Sequence, residues 1–209
     1  LQLYSKGVFI MEKCKELVPD YLRFVKGLVD SSDLDLNISR ETLQKSRQLK
    51  EIAENVEKRI LSRLERLLKN DYDRYLEFFK NFGINLKFGI YDDFGLKKDL
   101  LKDLILYETT NEDKMITLKE YVEKMPKDQE FIYFASGKSK VAVQVIPQMD
   151  LIKKKGYDVL VLTDDVDEFV LNIMGEYNKK QFKSVNQGEL DLLSDEEKEE
   201  IKNLNEQKK

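Results

Sequence analysis

Residues Val29–Gln44 read VDSSDLDLNISRETLQ, a polar stretch that leads into a long helical pattern. Asn37 and Ser39 both suit the cap of a helix, because their side-chain oxygens can accept from the backbone N–H groups of the first turn. Arg40 falls within that first turn, where the helix dipole disfavours a cation by about 0.3–1 kcal/mol. Free N–H groups beside an arginine instead suit an anion. Arg40 therefore marks a candidate anion site, and Gln44 lies one turn further on the same face.

A simpler interpretation of the same stretch treats it as a connection between two elements. Arg40 would then be a surface residue, paired weakly with Asp33 or Glu41, since most exposed ion pairs contribute little to stability. The residues of the stretch leave both interpretations open.

The stretch also resembles a known signature. VDSSDLDLNISRETLQ is similar to VDSxDLPLNxSRExLQ, the pattern of the 90-kDa heat-shock chaperone family, whose bacterial members are called HtpG. In that family the loop belongs to the middle domain. The resemblance implies that Arg40 contacts the γ-phosphate of ATP held by a separate N-terminal domain and that Gln44 supports this contact. Asp35 stands where the family usually has proline, which we expect to loosen the loop without altering Arg40 or Gln44.

The composition describes a chain with many charges of both signs. Its 209 residues include 36 basic and 40 acidic side chains, a net charge of −4. This balance provides no basic field for nucleic acid, so we expect no nucleic-acid partner. We find no apolar run near the roughly 20 residues that span a bilayer and no signal peptide, so we expect no membrane association. The single cysteine, Cys14, cannot form an internal disulfide and fits a cytoplasmic location.

The chain contains no histidine. This excludes Ser/His and Cys/His nucleophilic sites, and one cysteine cannot form a thiolate zinc site, so we predict no metal site. Self-contained hydrolysis is therefore not expected. The resemblance implies an ATPase as the parent chaperone, but this chain alone lacks the nucleotide pocket and should be inactive.

Two long helical patterns follow the opening stretch. Apolar residues recur at three- and four-residue steps from Arg40 to Asn70, which predicts one amphipathic helix. Asn70 and Asp71 would cap a second helix, Tyr72 to Phe82, which we expect Gly83 to end. The first helix carries more basic than acidic residues, but it has no aromatic residue, so a solvated face is favoured over an RNA-binding one.

The second half of the chain alternates between strand and helix patterns. Short apolar runs predict strands at 131–134, 159–162 and 182–185, with helices at 96–106, 138–145, 148–155 and 166–177 between or before them. Thr117-Leu118-Lys119-Glu120 predicts a capping box at the start of another helix. Strand–helix–strand alternation predicts parallel strands with right-handed crossovers.

These patterns predict an α/β fold: two three-layer αβα-type units joined by a helical coil, with a charged tail that is helical or mobile. Further signatures of the family appear as NLKFGIYDD (85–93), ITLKEYVEKM (116–125), FIYFASGKS (131–139) and GYDVLVLTDDVDEF (156–169). The resemblance then implies four parts. Residues 1–39 end the large middle subdomain, 40–83 form the coil, 84–186 form the small subdomain, and 187–209 lead to a C-terminal dimerisation domain. Since Leu1 opens inside an apolar pattern, we expect a piece of a longer protein.

One motif imitates a nucleotide-binding loop. Gly137-Lys138-Ser139 matches the end of the G-x-x-x-x-G-K-[ST] pattern, but Ile132 stands where the first glycine is required. We therefore predict no nucleotide site there and expect Ser136 to cap the following helix. The acidic residues Asp164, Asp165, Asp167 and Glu168 are interpreted as charge at a helix N-terminus, since a calcium loop needs a turn glycine and a bidentate glutamate.

The resemblance implies an ATP-dependent chaperone that closes as a clamp on unfolded or partly folded client proteins. Its ATP, with Mg, would lie in the N-terminal domain, and no cofactor is expected on this chain alone. The full-length protein would be a homodimer. The competing hypothesis is a non-enzymatic α/β interaction module or adaptor.

Overall fold

The computed structural model describes residues 1–34, 43 and 46–186 of the chain. The chain divides into two compact units, Leu1–Ile105 and Leu106–Lys209. The predicted tail, 187–209, lies outside the described residues. Among the described residues, no helix combines the length and the apolar character needed to cross a membrane.

The first unit opens with a three-stranded sheet in the order β2-β1-β3. Strands β1 (Gln2–Ser5) and β2 (Val8–Met11) form an antiparallel hairpin, and β3 (Leu28–Asp30) pairs with β1 in parallel. Lys6 and Gly7 both have positive φ, +50° and +77°, the conformation that tight two-residue hairpin turns require. Two short 3-10 turns, Lys15–Leu17 and Asp20–Leu22, connect β2 to β3.

Helices form the rest of the first unit: α1 (Arg47–Asn70), α2 (Tyr72–Tyr91) and α3 (Lys98–Leu101), followed by a 3-10 turn at Lys102–Leu104. The prediction of one continuous helix from Arg40 is wrong, because Ser46 is extended (φ −71°, ψ 145°) and caps a helix that begins at Arg47. The predicted caps Asn37 and Ser39 lie outside the described residues. Asp71 caps α2 by accepting from Arg74 N–H at 3.2 Å, as predicted.

The prediction that Gly83 ends α2 is wrong. The helix continues to Tyr91, so the predicted boundary between 83 and 84 falls inside it. Gly83 and Gly89 are buried helical positions where the chain packs closely. A Cβ at Gly89 would lie 2.7 Å from both Leu101 Cδ1 and Tyr21 Cγ. Glycine at this position therefore permits close packing inside a helix. The assignment of the four parts of the chain to chaperone subdomains stays a prediction.

The second unit is a six-stranded mixed sheet in the order β5-β4-β7-β6-β9-β8. Its strands are β4 (Leu106–Thr109), β5 (Ile116–Thr117), β6 (Ile132–Ser136), β7 (Leu160–Leu162), β8 (Glu176–Tyr177) and β9 (Lys180–Ser184). Strand β6 lies in the middle and pairs in parallel with β7 and β9, which confirms the predicted parallel strands. Strands β4, β5 and β8 add antiparallel pairs at either side.

Helices α4 (Leu118–Lys124), α5 (Lys140–Gln144), α6 (Met149–Lys154) and α7 (Asp167–Met174) alternate with these strands. The Thr117–Glu120 capping box is present in both directions. Two predicted helices were too long. The one at 96–106 ends before β4, and the one at 166–177 ends at Met174, where Gly175 takes φ +73°. Both units combine a sheet with helices, so the α/β class is confirmed.

Candidate functional site

Strand β3, an edge strand of the first sheet, leads into the stretch 29–44, which is called the signature loop. Ser31 N–H donates to Tyr4 O at 3.1 Å, which extends the β1–β3 pairing by one residue. The Asp30 carboxylate accepts from Gly7 N–H at 3.0 Å and thereby ties β3 to the β1–β2 turn. The upstream end of the loop is therefore fixed to two strands.

The loop is then held by a buried hydroxyl and an apolar core. Ser5 is fully buried, and its Oγ–H donates to Leu34 O at 3.0 Å. Leu34 itself is buried with Leu3 and Leu17. Because a buried hydroxyl without a partner is costly, this bond ties the backbone of Leu34 to the end of β1.

The downstream end of the loop is fixed in the same core. Leu43 is buried in the same cluster as Leu34 and Leu49. Ser46 N–H donates to Leu43 O at 2.9 Å, and Ser46 Oγ accepts from Leu49 N–H at 3.2 Å to cap α1. This cap was not predicted from the sequence. The sequence signal for the cap is Ser46, which stands three residues before Leu49, the first apolar residue of the α1 pattern.

The two predicted site residues, Arg40 and Gln44, lie outside the described residues, so their contact with a phosphate stays a prediction. The structure does describe two residues near them in the sequence. Leu34, which precedes Arg40, and Leu43, which follows it, are buried in one core, and Gln44 directly follows Leu43 in the sequence.

A second group of contacts holds α1 in place. Glu57 on α1 accepts from Tyr21 O–H and pairs with Lys97 Nζ, both at 2.5 Å. The Lys97 ammonium also lies 5.2 Å from the centre of the Tyr21 ring. Burial, followed by the neighbouring Glu57 carboxylate, raises the pKa of the Tyr21 phenol, so this hydroxyl remains a donor at neutral pH. The group joins three elements of the first unit and has a structural role.

The turn at Gly137 does not form a phosphate-binding loop. Two of its backbone N–H groups are already used: Ser136 N–H donates to Asn186 Oδ1 at 2.9 Å and Gly137 N–H to Leu162 O at 3.1 Å. The prediction that Ser136 caps the next helix is wrong, because Ser136 ends β6 and its hydroxyl donates to Glu168. Ser139 caps α5 instead.

The acidic cluster begins α7 as predicted, with Asp167 and Glu168 in the first turn. Asp167 Oδ2 accepts from Asp164 N–H at 3.1 Å, a local turn contact. In the part of the chain that the structure describes, no group of three or more acidic or cysteine side chains is arranged to hold a metal ion.

Comparison with known proteins gives consistent matches over the chain. A family profile described as "Hsp90 protein" matches residues 1–209. Chaperone protein HtpG of Clostridium perfringens is 52% identical over 197 residues, which covers 94% of this chain and 32% of that protein. HtpG of Bacillus subtilis is 51% identical over 197 residues, with the same coverage. HtpG of Halalkalibacterium halodurans is 49% identical over 208 residues, covering 100% of this chain and 33% of the relative.

The chain thus spans about a third of the length of these relatives. Similarity over its whole length, together with the α/β units described above, shows that the chain belongs to the Hsp90 family of chaperones.

Proposed function

We propose that this chain is the middle-domain part of an ATP-dependent chaperone. In this role it supplies Arg40 to the γ-phosphate of ATP held in a separate N-terminal domain. The proposal is carried by two residues of the signature loop, Leu34 before Arg40 and Leu43 after it, which are both buried in one core. Such anchoring suits a side chain that must meet a ligand from another domain, because positioning is a large part of phosphoryl-transfer catalysis.

The chain's own contribution would be electrostatic. A guanidinium can form two parallel hydrogen bonds to phosphate oxygens and neutralise charge that spreads over them during transfer. Gln44 would support the same contact with a neutral hydrogen bond. Nucleotide and Mg would be held elsewhere, since the Gly137 turn lacks the first glycine of the phosphate-binding pattern and the N–H groups of Ser136 and Gly137 are already bonded.

Domain closure would follow from the same contact. An arginine that reaches a phosphate only when two domains meet couples the nucleotide state to the closure of those domains. The chain would thereby take part in clamp closure and client binding within a cytoplasmic homodimer, with unfolded or partly folded proteins as clients.

The test uses Arg40→Ala in the full-length protein. ATP turnover should fall strongly while ATP affinity stays nearly unchanged, because an interaction made mainly in the transition state is lost from turnover more than from binding. Arg40→Lys should recover only part of the turnover, since it keeps the charge and loses the planar two-pronged geometry. Gln44→Ala should act in the same direction but more weakly.

Arg47→Ala is the matched control, because the Arg47 side chain is 91% exposed and pairs with Glu51, one turn away on the same helix. It should leave turnover unchanged. Steady-state ATPase, a nucleotide titration and a thermal melt are measured for each variant. Wild-type turnover in Arg40→Ala would refute the role of Arg40, and an equal loss in Arg47→Ala would show a general effect of charge.

The competing hypothesis, a non-enzymatic interaction module, is tested with the chain alone. Adding the chain to a separate N-terminal domain should stimulate ATP hydrolysis under our proposal, whereas a plain adaptor would give no stimulation. The isolated chain should show no tight ATP site by calorimetry.

A further inference from the structure

The C-terminal half of α2 exposes apolar side chains on one face. Ile84, Phe88 and Tyr91 are spaced by four and three residues, so they lie on one side of the helix. The chain that follows adds Phe94 and Leu96, which are 89% and 88% exposed. These five residues are called the 84–96 apolar surface. An aromatic side chain presents about 150–250 Å², so the surface exposes on the order of 500 Å², near the upper end for single patches on monomers.

The packing of α2 does not explain this surface. The buried face of the helix, with Leu86 and Ile90, is already covered by the first unit. The 84–96 apolar surface therefore faces away from the core that stabilises the helix. Such a patch on a soluble domain commonly marks a binding surface.

The backbone conformation at Phe94 also favours a binding role for this surface. Phe94 has φ +54°, a conformation that is rare for a bulky aromatic residue and costs about 1–3 kcal/mol. The turn is fixed by Phe94 N–H donating to Tyr91 O at 3.2 Å and Gly95 N–H donating to Ile90 O at 2.9 Å. The ring gains no burial in return, because it projects into solvent. Folding alone thus gives no reason for a phenylalanine here.

The charges of the surface identify the kind of partner. Among residues 84–96 the charged side chains are those of Lys87, Asp92 and Asp93. Lys87 is buried, which leaves Asp92 exposed between Tyr91 and Phe94, with Asp93 half-buried beside it. Carboxylates within an apolar surface disfavour anionic partners such as nucleic acid or acidic lipid, and they suit apolar segments that carry basic residues.

We propose that the 84–96 apolar surface binds unfolded polypeptide segments that combine aromatic or aliphatic residues with lysine or arginine. This rests on the proposed chaperone function and assigns a client-contact surface to it. The apolar side chains would bury client residues of the same kind, and Asp92 would select the basic ones.

The test measures binding of the 209-residue chain to a fluorescein-labelled unfolded peptide of phenylalanine, leucine and lysine by fluorescence anisotropy. The double variant Phe94→Ser/Leu96→Ser should weaken binding by about tenfold. The matched control is Val141→Ser/Val145→Ser in the second unit, where the two valines are 70% and 76% exposed. It removes a similar exposed apolar pair and should bind as the unaltered chain does. A peptide with glutamate in place of lysine should bind more weakly.

Phe94→Gly separates binding from folding. Glycine favours positive φ and Phe94 is not buried, so this variant should melt at the same or a higher temperature while still losing affinity. Unchanged affinity in Phe94→Ser/Leu96→Ser, or an equal loss in the valine control, would overturn the proposal. So would a concentration-dependent dimer in sedimentation that the double variant abolishes, since the occupant would then be a second copy.

The outcome is independent of the Arg40 test. Wild-type ATP turnover in Arg40→Ala refutes the γ-phosphate role and leaves the peptide-binding result unaffected. Absence of peptide binding refutes the surface assignment and leaves the Arg40 result standing.

Discussion

Gly89→Ala tests the close packing of α2 against the first unit. Two effects oppose each other. Alanine favours a helix over glycine by about 1 kcal/mol, but its Cβ would lie 2.7 Å from both Leu101 Cδ1 and Tyr21 Cγ. Tyr21 is buried and tied to Glu57, so its ring has little freedom to move. Overpacking a core costs about 1–3 kcal/mol.

We therefore expect a net destabilisation of about 1 kcal/mol, which lowers Tm by about 2–4 °C for a chain of this size. Gly83→Ala is the matched comparison. It has the same helical gain, but its Cβ meets only the far edge of the Phe79 ring, on the same helix. Gly83→Ala should thus be the more stable of the two. Urea unfolding and calorimetry measure both variants, and a Tm for Gly89→Ala above that of the unaltered chain would refute the packing argument.

Three further predictions concern buried groups. Tyr75→Phe should cost about 1–3 kcal/mol in urea unfolding, because it removes the donor to the buried carbonyl of Leu104; the half-exposed Tyr4→Phe should cost much less. Thr117→Ala should cost about 0.5–2 kcal/mol by losing the capping box, and Thr117→Ser should recover most of it in the same assay. Burial and the nearby Glu16 raise the pKa of Cys14 to about 11. Alkylation of the folded chain should therefore stay slow up to about pH 9, where an unfolded thiol is largely ionised. The free energy of unfolding should fall above that pH, because the thiol of the unfolded chain loses its proton first. Fast alkylation of the folded chain at pH 8.5 would contradict this.

Local signals predicted the elements whose cause is local. The Thr117–Glu120 box and the Asp71 cap each depend on a side chain and a backbone N–H three residues away, so the sequence alone was sufficient. The parallel strands at 132–136 and 160–162 were predictable because their apolar runs are short and separated by helical patterns.

The errors arose where a distant contact decides the conformation. Gly83 looks like a helix end, yet α2 continues past it to Gly89, which packs closely against Tyr21 and Leu101 from other parts of the first unit. Ser136 looked like a cap, but its hydroxyl bonds Glu168, 32 residues away. For the site, the sequence predicted Arg40 and Gln44 by resemblance, whereas the Ser5–Leu34 bond that frames their loop joins residues 29 apart. No local pattern contains that information.

The position of β6 has a consequence for how the second unit folds. This strand is central in the sheet, but both of its partners follow it in the chain, and Ile132 is paired with Phe182, 50 residues later. Closing such long loops before any pairing is gained makes folding slow. During synthesis the strand has an open edge until Lys180 and its neighbours have emerged, and an apolar open edge promotes aggregation. A segment of a chaperone would therefore itself pass through an aggregation-prone intermediate, and truncation before Lys180 should abolish the second unit as a whole.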